Sequence, residues 1–118
     1  MARVVIVGTD LMFISKVMGT SRALDIEAVS VATAAALTSE LDAGTVRLVA
    51  IDMALPEAIA VDALRTVAAH TMCPPTIAFF SHVQTALGEM AKTAGATEVM
   101  PRSKFSAELP EILTRYCS

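Results

Sequence analysis

Five strand-like runs recur along the chain, and three of them are almost wholly apolar. They cover Arg3–Val7, Ile26–Ala32, Arg47–Ile51, Thr76–Phe80 and Thr97–Met100. The first, third and fourth carry no alternation, as strands buried on both faces of a parallel sheet do. Between the runs the apolar residues are spaced for helices. Phe13, Val17 and Leu24 share one face. Ile59, Ala60, Ala63, Leu64 and Val67 share another, and so do Leu87, Met90, Ala91 and Ala94. Thr33 is placed to cap the second helix at its start and Gly44 at its end. In the last segment, Leu109, Ile112, Leu113 and Tyr116 have helical spacing, and Pro110 moves the expected helix start toward Leu109 because proline fits only a first turn.

The pattern is β-α five times over. Parallel strands need crossovers, and the helices supply them, right-handed by rule. The expectation is a three-layer, doubly wound α/β fold of flavodoxin-like type, with a five-stranded parallel sheet in the order 2-1-3-4-5. No repeat, linker or low-complexity tract divides residues 1–118, so one domain is expected.

Composition narrows the picture. Hydrophobic residues make up 54% of the chain but aromatics only 4%, so aliphatic side chains and methionine must fill the core. A net charge of -3 without a basic run argues against direct contact with nucleic acid. No apolar segment approaches the roughly 20 residues of a membrane span, and no signal peptide is visible. A cytoplasmic protein is expected, with Cys73 and Cys117 as reduced thiols.

Chemistry on such a sheet gathers at the carboxyl ends of the strands. Gly8, Thr9 and Asp10 follow the first strand, and Asp52 ends the third. Ser81 and His82 follow the fourth, and Pro101, Arg102 and Ser103 the fifth. Asp52 is the conspicuous residue, a carboxylate closing an uninterrupted apolar run with Pro56 four residues on. Each residue also has a plainer reading. Asp10 and Ser81 can cap helices, Arg102 can pair with Asp52, and His82 can be an exposed residue at a helix start. His70, at a helix end, needs no further role.

The stretches "VVIVGTDLMF", "LVAIDMALP", "PTIAFFSH" and "GATEVMPRS" resemble the strand ends of the receiver domain of two-component response regulators, over nearly the whole chain. The resemblance implies a phosphorelay signalling module without enzyme activity of its own. Its partner would be a histidine kinase or another signalling protein, or a second copy in a homodimer. It also implies Asp52 at the phosphoacceptor position, Ser81 and Arg102 at the phosphate-contact positions, and an acidic pair that helps hold Mg²⁺. Without gaps, Gly8 and Thr9 fall where that pair belongs and Asp10 comes one place late. A one-residue slip would align Thr9 and Asp10 instead, but the ungapped version keeps Phe13 and Val17 at apolar helix positions. Asp10 and Asp52 then make a weak metal site or none. Arg102 replaces the usual lysine with a forked guanidinium, and Val99 stands where a switching aromatic is common. A degenerate receiver working by protein–protein contact is expected. Its partner face would take in Val83 to Lys92, Glu98 to Met100 with Val99, and Lys104 to Tyr116. The alternative is a competent phosphoacceptor using Asp10, Asp52 and Mg²⁺. A nucleotide or flavin enzyme is remote, because "VIVGTD" lacks the further glycines of a dinucleotide fingerprint.

Overall fold

The computed structural model describes residues 3–81 and 85–117. The chain alternates β1 (Arg3–Val7), α1 (Leu11–Ala23), β2 (Glu27–Val31), α2 (Ala34–Asp42), β3 (Val46–Asp52), α3 (Glu57–Ala69), β4 (Thr76–Phe80), α4 (Thr85–Thr93) and β5 (Glu98–Pro101). Two short helices follow, α5 (Arg102–Ala107) and α6 (Leu109–Cys117). All strand pairs are parallel and the order is β2-β1-β3-β4-β5, as the alternation implies.

The central strand shows why its sequence is continuously apolar. Residues alternate across a strand, so Val49 and Ile51 enter one core layer while Leu48 and Ala50 enter the other. The first layer packs under α2, α3 and α4 through Leu37, Leu41, Leu64, Val67 and Ala91. The second packs under α1, α5 and α6 through Phe13, Val17, Phe105, Leu109, Ile112 and Leu113. Fully burying one such aliphatic side chain stabilises the fold by about 1.5–3 kcal/mol. Strands β1, β3 and β4 are the most deeply buried part of the sheet.

Helix ends follow local rules. The Thr33 hydroxyl accepts the Ala36 N–H at 3.1 Å as N-cap of α2. Gly44, at φ +80°, takes the left-handed turn that lets the chain leave α2 for β3. The expected C-terminal helix starts at Leu109, as Pro110 implied, and a further short helix, α5, precedes it. After α5 the chain turns at Glu108 and restarts at Leu109, with Pro110 in the first turn of α6, where its missing N–H is harmless. His70 closes α3, and its Nε2 lies 2.7 Å from an Asp42 carboxylate oxygen at the end of α2. It thus ties two neighbouring helices, a role its position in sequence did not reveal. Both cysteines are free thiols, Cys73 exposed and Cys117 buried.

Candidate functional site

Strand register places Asp52. It lies two residues beyond Ala50, so it shares the layer of α1 and α5, and it pairs with Phe79 across β3 and β4. Its side chain is buried, with the residue only 5% exposed. A carboxylate so deep needs partners for both oxygens. Oδ1 accepts the Ala54 N–H at 2.9 Å. Oδ2 accepts from Arg102 Nη2 at 2.6 Å.

The same guanidinium reaches Asp10. Arg102 Nη1 donates to Asp10 Oδ2 at 2.8 Å, while Asp10 Oδ1 accepts the N–H groups of Met12 and Phe13 at 3.1 and 3.2 Å. Asp10 thus both caps α1 and pairs with the cation. Its carboxyl is held below the ordinary 3.8, first by the Phe13 N–H and then by Arg102. Arg102 begins α5 directly after β5, and this puts its side chain across the ends of β1 and β3.

Two rings hold the guanidinium from beside the carboxylates. Arg102 Cζ lies 4.8 Å from the Phe13 centroid and 5.4 Å from that of Phe79, within reach of a cation–π attraction. Phe79 stacks in turn on Phe105 at 4.8 Å. A planar cation fits such a cleft better than an ammonium, because it can fork between two carboxylates and lie on a ring at once. The role of Phe13 and Phe79 went unread in the sequence. Alternation along "TIAFF" does place Phe79 on the side of Asp52, and that was the available signal.

Gly8 is buried beside Asp52. A Cβ there would lie 3.3 Å from Asp52 Cβ and 3.7 Å from Asp52 Oδ2. Position 8 therefore faces Asp52, in keeping with the ungapped alignment, and Phe13 and Val17 are buried as that alignment requires.

The carboxylates do not fit Mg²⁺ as they stand. The cation asks for several oxygen ligands in near-octahedral array. Here one oxygen of each acid is bonded to Arg102 and the other to backbone N–H groups. Among the described residues, no three acidic, histidine or cysteine side chains gather as a metal-binding group.

The remaining candidates lie nearby or outside. Ser81 is exposed beyond β4, and its hydroxyl makes no side-chain hydrogen bond among the described residues. Lys104 is exposed on α5, and Val99 is half-buried against the core layer under α3 and α4. His82 and Val83 fall outside the described residues. Among those described, no helix is long and apolar enough to cross a membrane.

No protein-family model and no curated protein matches the chain by sequence. Solved structures do match in shape. A response regulator from Hahella chejuensis superposes with a TM-score of 0.82 at 18% identity, covering 98% of this chain and 95% of that one. The chemotaxis protein CheY4 of Vibrio cholerae gives 0.81 at 16% identity, with 98% of each chain covered. The receiver domain of a sensor histidine kinase from Pseudomonas aeruginosa, which holds a magnesium ion in its active-site cleft, gives 0.80 at 20% identity, covering 98% of this chain and 96% of that one. With the sheet order and the strand-end site already described, these likenesses give the chain the fold of response-regulator receiver domains.

Proposed function

We propose that the chain is a receiver-type module of two-component signalling that works by binding another signalling protein, with Asp52 at the acceptor position and Arg102 as its resident counter-ion. The observation that carries this reading is the fork of Arg102 between Asp10 and Asp52. Phosphoryl transfer to a carboxylate needs that carboxylate free to attack and its surplus negative charge offset as the phosphoryl group arrives. In this chain the offsetting charge is already bound to the nucleophile. The partner face is built from α4, β5, α5 and α6, including Val99 and Lys104. On it, Glu98 accepts hydrogen bonds from both Arg115 and Tyr116, which ties α6 to β5. Val99 offers no ring to swing between states, and a signal can shift an equilibrium only through a difference between states. The face therefore binds a histidine kinase, another signalling protein or a second copy without waiting for phosphate.

The test is a ¹⁵N–¹H spectrum of the chain with Mg²⁺ alone and with Mg²⁺ plus beryllofluoride. Unchanged resonances in α4, β5 and α6 are expected. Asp52→Asn should alter partner affinity by less than about 1 kcal/mol, below the usual range of allosteric coupling. Saturable shifts spreading from Asp52 into α4 would establish the competent phosphoacceptor instead.

A further inference from the structure

We propose that the groove between α3 and α4 docks an amphipathic helix of a partner protein, with a carboxylate at one end of that helix's apolar face and basic residues toward the other. The groove measures about 610 Å³. Val61, Met90 and Ala94 give it a half-buried apolar floor. Glu57, Arg65 and Glu89 stand on its walls, and all three are exposed. Glu98, Val99 and Lys104, of the face proposed above, do not line it.

The way the two helices meet gives the groove its shape. The turn after α4 comes against the last turn of α3, where a Cβ added at Gly95 would lie 3.3 Å from the Ala68 Cβ. The groove is closed there. From that contact outward, Arg65 comes first, Glu89 next on the facing wall, and Glu57 last, at the first residue of α3. From Arg65 to Glu57 the rise is about 12 Å, at 1.5 Å per helical residue.

These charges are unspent. Glu27, Glu40 and Glu98 each pair with an arginine, but no hydrogen bond or ion pair holds the Glu57, Arg65 or Glu89 side chain among the described residues. Thr93, also on the wall, makes no demand on a ligand, because its hydroxyl donates to the Glu89 carbonyl of its own helix at 3.0 Å. The groove thus offers a free cation at its closed end, two free carboxylates farther out and an apolar strip along the floor. The complementary occupant carries an acid, then apolar residues, then two bases, along about 12 Å of one face. A helix presents such a row at three- and four-residue spacing. A small molecule would be left wet, because the charged walls stand in solvent. Neither Asp52 nor Arg102 takes part, so the site stands or falls apart from the reading of the acceptor position.

The experiment titrates the ¹⁵N-labelled chain with a synthetic alanine-based helix that presents an aspartate, two leucines and two lysines in that order along one face. Saturable shifts are expected at the amides of Val61, Arg65, Glu89 and Thr93, with affinity falling as salt rises because the pairs are exposed. Glu57→Gln combined with Glu89→Gln should raise Kd about tenfold, roughly threefold for each exposed ion pair lost. Arg65→Glu should weaken binding of this peptide and restore it for a peptide whose aspartate is replaced by lysine. The three positions are exposed, and the substitutions leave the buried face of α3, Ala60, Ala63, Leu64 and Val67, untouched. Shifts that do not saturate, a Kd unchanged in the double glutamine variant, or an Arg65→Glu chain that binds both peptides alike overturn the site. Groove shifts that grow with protein concentration alone make the occupant a second copy of this chain and overturn the partner helix.

Discussion

The two sides of the cleft are built on opposite plans. Toward β1, β3 and β5, both carboxylates have partners for both of their oxygens. Asp10 bonds two backbone N–H groups and Arg102, and Asp52 bonds Ala54 and Arg102. Toward the end of β4, the Ser81 hydroxyl has no side-chain partner among the described residues. The nearest aromatic there, Phe80, is packed under α4 so closely that a Cβ at Gly88 would lie 3.0 Å from two of its ring atoms. One side is fixed by charge and the other by contact.

The largest test of that contrast removes the cation. Arg102→Ala leaves a buried carboxylate at Asp52 uncompensated, a change that costs about 3–5 kcal/mol in fully buried pairs. The Arg102 side chain is 31% exposed, so a loss of about 2 kcal/mol is expected in urea unfolding after allowance for solvent screening. A loss below about 0.5 kcal/mol, the level of an exposed pair, would mean the tied side is tied only in appearance. Arg102→Lys should recover part of the loss but not all, because an ammonium cannot fork between both acids and lie on Phe13.

Gly88→Ala probes the other side. Overpacking against the Phe80 ring costs about 1–3 kcal/mol, and the better helix propensity of alanine returns about 1 kcal/mol. A net loss of about 1 kcal/mol is expected, with Phe80→Leu restoring stability in the double variant. If the double variant is no better than the sum of the singles, the ring and the glycine are not coupled.

Ser21→Ala calibrates both. The Ser21 hydroxyl is buried in α1 without a hydrogen-bond partner among the described residues. Removing it should leave stability unchanged or raise it by up to about 1 kcal/mol, so a clear loss in unfolding would reveal a bond to that hydroxyl.

The smallest effect is in acid. The Asp10 carboxyl is held below 3.8 in the folded chain, so it binds protons less readily than when unfolded. Its stabilisation is complete above about pH 4 and is lost as pH falls through its folded value. Asp10→Asn should flatten this part of the acid limb while keeping a cap oxygen for α1. An unchanged acid limb would show that Arg102 and the α1 N–H groups do not hold this carboxylate.

The fold was legible because burial on both faces writes itself into β1, β3 and β4 as unbroken apolar runs, and helix periodicity fills the gaps. The start of α6 at Leu109 was legible from Pro110, but the short helix α5 before it was not, since Phe105 and Leu109 are both buried and give one continuous apolar signal. The site residues were legible as strand ends. Their pairing was less so, because the sequence offered Asp10 as cap or metal ligand and the structure makes it a cap and an ion-pair partner together. Capping uses one carboxylate oxygen and leaves the other for Arg102, and no spacing rule reports how a side chain divides its two acceptors. The Phe13 and Phe79 contacts were hidden for a related reason: a core aromatic looks the same in sequence whether its outer face meets an aliphatic or a cation.

The stacked rings of Phe13, Phe79 and Phe105 have a spectroscopic consequence. Protons held over an aromatic face sit in its ring current and resonate upfield of their usual positions. The side-chain methylenes of Arg102 enter that field only while the guanidinium is docked. Their displacement in a proton spectrum, scaled against the fully docked value, measures the fraction of molecules with a closed cleft. The protein thus contains its own unlabelled gauge of whether the counter-ion is at home.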